Sequence, residues 1–272
     1  MLRIVACVKQ VPDTTQVRIN PETNTLIREG VPAIINPFDA HAIEEAVRLK
    51  ERFGGEAIML CMGPPFATEA LQKALSFGAD DAILLTDRAL VGSDTLATSY
   101  ALAAAIQKIQ ESGGVDVVIC GKQTIDGDTA QVGPGIAARL GFSQLTYVDK
   151  VVDVDTKKRT ITVRRHLEGA YEILEAPLPA LLTVLKEINK PRYATLEDLI
   201  RGLRYPVPIW TVASAGLDPE QIGLKGSPTV VVRIFSPPER SGGEIIPGGT
   251  EDPGKAAATV ADKLMASGVI GG

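Results

Sequence analysis

Aromatic side chains are scarce in this 272-residue chain: one Trp, five Tyr and six Phe, 4% of the whole. The core must therefore be filled by Val, Ile, Leu and Ala, and an aromatic platform for stacking nucleic-acid bases is excluded. Excess positive charge is missing as well. The formal net charge is −5, so there is no basic footprint for nucleic acid. No apolar run reaches the ~18 residues that cross a bilayer, so no membrane span is expected. Cysteine is sparse and scattered, at Cys7, Cys61 and Cys120, with neither the Cys-x-x-Cys spacing of a zinc site nor a disulfide framework. The opening MLRIVACVKQVPDT has a short apolar stretch and no small-residue cleavage site. It does not read as a signal peptide, and a reducing cytoplasm is the expected setting. Gly-x-Gly-x-x-Gly, the P-loop pattern and Gly-x-Ser-x-Gly are also absent, as is any histidine beyond His41 and His166. That leaves no basis for a metal site or a catalytic triad.

What is present reads as a soluble α/β protein. Hydrophobic residues make up 45% and charged residues 22%, ordinary values for a globular chain. Four short apolar runs, at 2–8, 56–62, 82–85 and 115–120, are bounded by Gly, Pro or Asp and do not alternate. Strands buried on both faces look like this. Helical stretches fall between them at 39–52, 66–77, 93–111 and 129–140, the first with Asp39 as its expected cap and the third capped by Ser or Asp. The alternation predicts a parallel sheet with flanking helices. Residues 17–27 read as a hairpin. After Gly141 the pattern becomes β-rich, over 144–154, 159–166, 171–174 and 180–184, which predicts a meander along one sheet edge. From residue 205 prolines and Gly pairs accumulate. We divide the chain into a nucleotide-binding α/β domain, 1–204, and a C-terminal arm, 205–272, ending in an amphipathic helix near 254–267. An arm of this size calls for a partner surface.

In an open parallel sheet, ligands bind at the carboxyl ends of the strands. Three such ends read CVKQVPDT, CMGPP and CGKQTIDGD. The cysteines there are more simply buried small residues than reactive thiols. In the segment CGKQTIDGDTAQVG, Gly121 and Gly127 let backbone approach a ligand, and Thr129 is expected at a helix start, where phosphates bind. Asp126 and Asp128 would repel phosphate, so they cap the helix or bind a ribose; a capped helix start with no ligand explains the same residues. From the residues alone, the reading is a nucleotide-binding α/β protein with a partner-binding arm.

Together VKQVPDT, NPFDAHAIEEAVRLKE, GPP, GAD, CGKQTIDGDTAQVG and PRYATLEDL resemble, in that order and spacing, the beta subunit of electron transfer flavoproteins. The likeness runs over nearly the whole chain. The stretch VRRHLEGAYEILEAPLPALLT also resembles the family signature, keeping Arg165, Glu168, Gly169, Glu172, Leu174, Pro179 and Thr183 and departing at Ala170. The resemblance implies a Rossmann-like fold of the adenine nucleotide alpha hydrolase-like type. It implies a heterodimer with an alpha subunit that carries FAD, and an arm packed on that subunit. One branch of the family holds AMP in the beta subunit. The electron-bifurcating branch holds a second FAD, which takes hydride from NADH and passes electrons to the alpha-subunit FAD and to a low-potential acceptor such as ferredoxin or flavodoxin.

By motif, the cofactor contacts would be Cys7, Asn36, Pro37, Phe38, Asp39, Met62, Gly121, Lys122, Gln123, Thr124, Ile125, Asp126, Gly127, Asp128, Thr129, Ala130, Gln131 and Val132. Residues 191–199 resemble the loop that docks acyl-CoA or other dehydrogenases, with Leu196 as its anchor. Two features lean toward a second FAD. Thr14 stands where AMP-type members carry Tyr, and TDRALVGSDTLATS resembles the bifurcating branch's loop, with Ser93, Thr95 and Thr98 to hold a diphosphate. The alternatives are the AMP-holding type and a stand-alone nucleotide-binding or nucleotide-hydrolysing α/β protein, with Asp126 and Asp128 on magnesium.

Overall fold

Aliphatic runs without polar alternation become strands covered on both faces, and here they build one long sheet. The computed structural model describes residues 1–13, 18–19, 26–27, 32–229, 232, 243–247 and 249–270. In chain order the elements are β1 (Leu2–Cys7), β2 (Gln10–Pro12), β3 (Arg18–Ile19), β4 (Leu26–Ile27), β5 (Ala33–Ile35), α1 (Pro37–Phe53), β6 (Gly55–Met62), α2 (Thr68–Ser76), β7 (Asp81–Leu85), α3 (Thr95–Glu111) and β8 (Val117–Gly121). They continue with α4 (Val132–Leu140), β9 (Ser143–Asp155), β10 (Thr160–Leu167), β11 (Ala170–Pro177), β12 (Ala180–Val184), α5 (Leu196–Arg204), β13 (Ile209–Trp210) and α6 (Pro253–Ala266).

The main sheet has the order β11-β10-β9-β12-β8-β1-β6-β7-β13. Every neighbouring pair from β9 to β13 is parallel, and β9, β10 and β11 form the antiparallel edge. The expected α/β class and the edge meander are both found. The strand at 180–184 is not at the edge; it lies inside, between β8 and β9. Of the expected hairpin, β3 and β4 pair antiparallel, and its turn lies outside the described residues. Among the described residues no helix is long and apolar enough to cross a membrane.

Side chains alternate across the sheet, so it feeds two cores. Ile4, Ala6, Met59 and Leu84 face α1 and α2, while Val5, Ile58, Leu60 and Leu85 face α3 and α4. The near absence of rings is matched by close helix packing. On α4, a Cβ at Gly135 would stand 2.8 Å from Ser99 of α3.

All four helix starts differ from the pattern reading, α2 beginning at Thr68 rather than 66. α1 begins at Pro37, and Asp39 sits inside its first turn rather than capping it. α3 begins at Thr95 with Asp94 as its cap. α4 begins at Val132, not at 129, because Asp128 and Ala130 take left-handed backbone (φ 50° and 56°) that no helix accepts.

The chain divides into two compact units, Met1–Val232 and Arg233–Gly272. Residues 205–229 lack strong patterning, yet β13 pairs with β7, and Ala215, Leu217 and Ile222 are buried in the α3 side core. In the second unit, Asp252 accepts from the Lys255 N–H and caps α6.

Segment 189–205 is fastened by charge. Arg192 donates to Glu44 at 2.9 Å and to Glu51 at 2.6 Å. These two carboxylates raise its pKa, Glu51 contributing more. Glu44 is buried in α1. Arg192→Ala is expected to cost about 2 kcal/mol in urea unfolding, because Glu44 keeps only the backbone N–H of residue 192, at 3.0 Å, and the more distant Arg48. An unchanged midpoint would show that the fastening carries no weight.

Candidate nucleotide site at the strand ends

The strand order reverses at β1. The chain runs from β1 outward to β6 and β7, then returns to β8 on the other side. Crevices at such switch points bind ligands. Here a cavity of about 380 Å³ opens beyond Cys7, Met62 and Gly121, the last residues of β1, β6 and β8.

Of the predicted contacts, the cavity is lined by Cys7, Asp39, Met62, Thr95, Thr98, Gly121, Lys122, Gln123, Thr124, Gly127, Thr129, Ala130, Gln131 and Val132. Asn36, Pro37, Phe38, Ile125, Asp126 and Asp128 stand outside that lining, but several of them shape it. Asn36 is fully buried. Its Nδ2 donates to the Gln123 carbonyl at 2.9 Å, and its Oδ1 accepts from the Ile125 N–H at 3.2 Å. Lys9 grips both oxygens of Asp126, at 2.8 and 2.7 Å, which holds the Asp126 carboxyl below its ordinary value despite the opposing effect of burial. Gln123 donates to Asp128 at 2.7 Å. Both aspartates are thus occupied in fixing the 121–132 loop. Phe38 instead sits under Lys186, whose ammonium lies 4.6 Å above the ring centre, in a second hollow shared with Tyr147 and His166. Thr14 lies outside the described residues.

The helix starts divide the work. α4 has no side-chain cap, and Val132 and Gly133 from its first turn line the cavity. That end keeps the free N–H groups that attract an anion. A Cβ at Gly133 would come 2.6 Å from the Thr183 methyl, so only glycine fits here. At α3, Asp94 accepts from the N–H groups of Leu96 and Ala97 at 2.9 and 3.0 Å. This helix therefore offers the cavity the Thr95 and Thr98 side chains rather than open N–H groups. Ser93, expected to hold diphosphate, is engaged elsewhere: its hydroxyl donates to Leu90 O at 2.7 Å and accepts from Gly223 N at 3.0 Å.

Asp39 and Asp94 are the acidic side chains of the cavity wall, and Asp39 is the buried one. Only 5% exposed, it accepts from the Lys9 N–H at 2.8 Å. Burial pushes its pKa from 3.8 up to about 7, against the hydrogen bonds from Asn36, Lys9 and Gly121 that lower it. All three cysteines are free and buried. Burial pushes the Cys61 thiol up to about 12, and the Cys120 thiol is raised first by its hydrogen bond with Cys7 and then by burial. Neither thiol is set up as a nucleophile. His41 Nδ1 lies 3.1 Å from the Asn189 carbonyl, and His166 stacks on Tyr171, so both have structural partners.

Pattern reading did not single out Lys9, Leu60, Leu90, Gly92 and Leu102, which also line the cavity, as do Asp94, expected only as a helix cap, and Gly133, the last residue of the quoted segment. Lys9 had a signal, standing two residues beyond the first strand end. Leu90 and Leu102 look like ordinary core residues.

At the docking segment, Thr195 caps α5 by accepting from the Asp198 N–H at 3.1 Å. α5 is bound through its polar side: Arg201 donates to Leu75 O and Ala79 O at the end of α2, and a Cβ at Gly202 would meet Gln72 O at 2.4 Å. Its apolar side faces outward, with Leu196 73% and Leu203 61% exposed.

The chain matches the model of a family described as the electron transfer flavoprotein domain over residues 23–214. It is 55% identical over 263 residues to Protein FixA of Azotobacter vinelandii, covering 96% of this chain and 94% of that one. It is 49% identical over 264 residues to the electron transfer flavoprotein subunit beta of Clostridium acetobutylicum, covering 97% and 98%. It is 47% identical over 270 residues to the caffeyl-CoA reductase-Etf complex subunit CarD of Acetobacterium woodii, covering 99% and 100%.

Proposed function

Because the chain belongs to the electron transfer flavoprotein family, as a subunit of the beta type that implies an alpha-subunit partner, we propose that its cavity binds the adenine nucleotide part of FAD. One observation carries this reading: the cavity lies at the switch point, between an uncapped helix start and two threonine side chains. In the reading, the start of α4 and the 121–132 loop bind a phosphate, and Thr95 and Thr98 bind further along the ligand. Gly121 and Gly127 let backbone approach it. Asp39, neutral below about pH 7, lets an anion sit beside a carboxyl group. A flavin held here would accept hydride from NADH and pass electrons on to the alpha-subunit FAD and to ferredoxin or flavodoxin. The chain's own task is to bind and orient it. This is the bifurcating type, and the likeness to a subunit of a caffeyl-CoA reductase-Etf complex supports it. A cytoplasmic setting belongs to the same reading, in keeping with three free cysteines.

A resident AMP is the second reading. The cavity favours it by size, since about 380 Å³ is near the low end for small-molecule sites, about 300–1,000 Å³. Nucleotide hydrolysis through Asp126 and Asp128 loses its motivation, because these side chains hold the loop through Lys9 and Gln123. Releasing the cofactors of the co-purified heterodimer by denaturation decides the matter. Two FAD per heterodimer are expected; one FAD and one AMP would establish the second reading.

The proposal extends to a dehydrogenase that docks at 191–199. Leu196→Ala is expected to slow electron transfer to that partner severalfold with nucleotide content unchanged. Equal rates in stopped-flow mixing would remove Leu196 from the docking surface.

A further inference from the structure

Residues 223–229 form a short strap far from the cavity in sequence, yet they hold one of its walls. The Asp94 N–H donates to Ser227 Oγ at 2.8 Å, and Ser227 Oγ donates to Gly223 O at 2.6 Å. The Gly223 N–H donates to Ser93 Oγ at 3.0 Å. Thr229 gives Asp94 Oδ2 two bonds, from its N–H at 3.1 Å and from its hydroxyl at 2.7 Å. The two segments are in close contact: a Cβ at Gly223 would stand 2.2 Å from the backbone oxygen of Ala89, and one at Gly92 would stand 2.5 Å from the Leu224 side chain. The residues held this way, Gly92, Ser93 and Asp94, line the cavity beside Thr95 and Thr98.

We propose that Ser227 and Thr229 are positioning residues for the nucleotide site, locking the 92–95 turn and taking up the second oxygen of Asp94. The inference rests on the nucleotide reading above. Asp94 spends Oδ1 on the first turn of α3 and Oδ2 on Thr229. Burial alone would raise its carboxyl, but these contacts together keep it below its ordinary value. Without the Thr229 hydroxyl, Oδ2 keeps only the N–H of residue 229, and the less neutralised charge of the cavity-lining Asp94 repels a diphosphate and lets the turn move. A mononucleotide seated on the 121–132 loop does not lean on this wall.

The test uses the full-length chain in its heterodimer, stripped of nucleotide, with FAD and AMP as separate probes. Thr229→Val keeps the branched shape and loses the hydroxyl. It is expected to weaken FAD at least about fivefold and to leave AMP within about twofold, while Thr229→Ser binds both like the unmodified chain. Equal weakening of the two probes, or none, would overturn the proposal. Hydrogen exchange over 92–98 in the nucleotide-free complex gives a separate readout. Faster exchange in Thr229→Val is expected, and unchanged exchange would refute the strap even if the chain bound neither probe. Failure of the unmodified complex to bind either probe refutes only the nucleotide reading.

Discussion

Gly121→Val is expected to strip the proposed nucleotide from the complex and to lower stability by about 3 kcal/mol. The cause is steric. A Cβ at Gly121 would lie 2.3 Å from Asp39 Oδ1, 2.7 Å from Phe38 Cβ and 2.9 Å from the Phe38 carbonyl carbon. None of these atoms is the free end of a flexible chain. Asp39 is held by Lys9, and Phe38 belongs to the first turn of α1. Either α1 or the end of β8 must move, and both border the cavity. Gly127→Ala is the control from the same loop. Its Cβ would approach only Thr124 Oγ1, at 3.4 Å, so stability should stay close to normal, and any loss should be confined to nucleotide binding. Urea unfolding and nucleotide counting on both variants check the pair. Equal behaviour would mean that the contact at Gly121 relaxes without cost.

The larger effect depends on pH. Folded, Asp39 keeps its proton up to about pH 7; unfolded, it gives the proton up near its ordinary 3.8. Between these values the folded chain binds more protons, so stability falls as pH rises. The contribution is fully present below 3.8 and lost by the time pH passes 7, about 4 kcal/mol in all. Asp39→Asn cannot titrate there. Urea unfolding from pH 4 to 8 should show the two chains diverging, the unmodified one losing stability relative to the variant. Parallel curves would show that the carboxyl ionises freely in its site. Phosphate-bearing ligands should also bind more weakly above pH 7, where Asp39 is charged.

The sheet was legible because strands buried on both faces leave unbroken aliphatic runs, as 56–62 does for β6. The place of β12 was not legible. Residues 180–184 look the same whether they end a meander or enter the parallel half, and only pairing with both Val117 and Ser143 decides it. In the candidate site, strand ends and glycines carried the signal. What stayed hidden was how the polar groups are spent. Asp126, Asp128 and Ser93 look like ligand contacts in one dimension, but each is committed to a distant or local protein partner. The strap at 223–229 left no pattern, since Ser227 and Thr229 act on a turn more than 130 residues away.

Synthesis of this chain passes through an awkward stage. β9, β10 and β11 leave the ribosome before β12, which joins them to the rest of the sheet. Until residues 180–184 emerge, the edges of β8 and β9 that face each other across the missing strand stay bare. Such edges invite pairing with other chains. A nascent chain stalled between residues 155 and 180 would therefore depend most on chaperones, and β12 is the strand that ends this exposure.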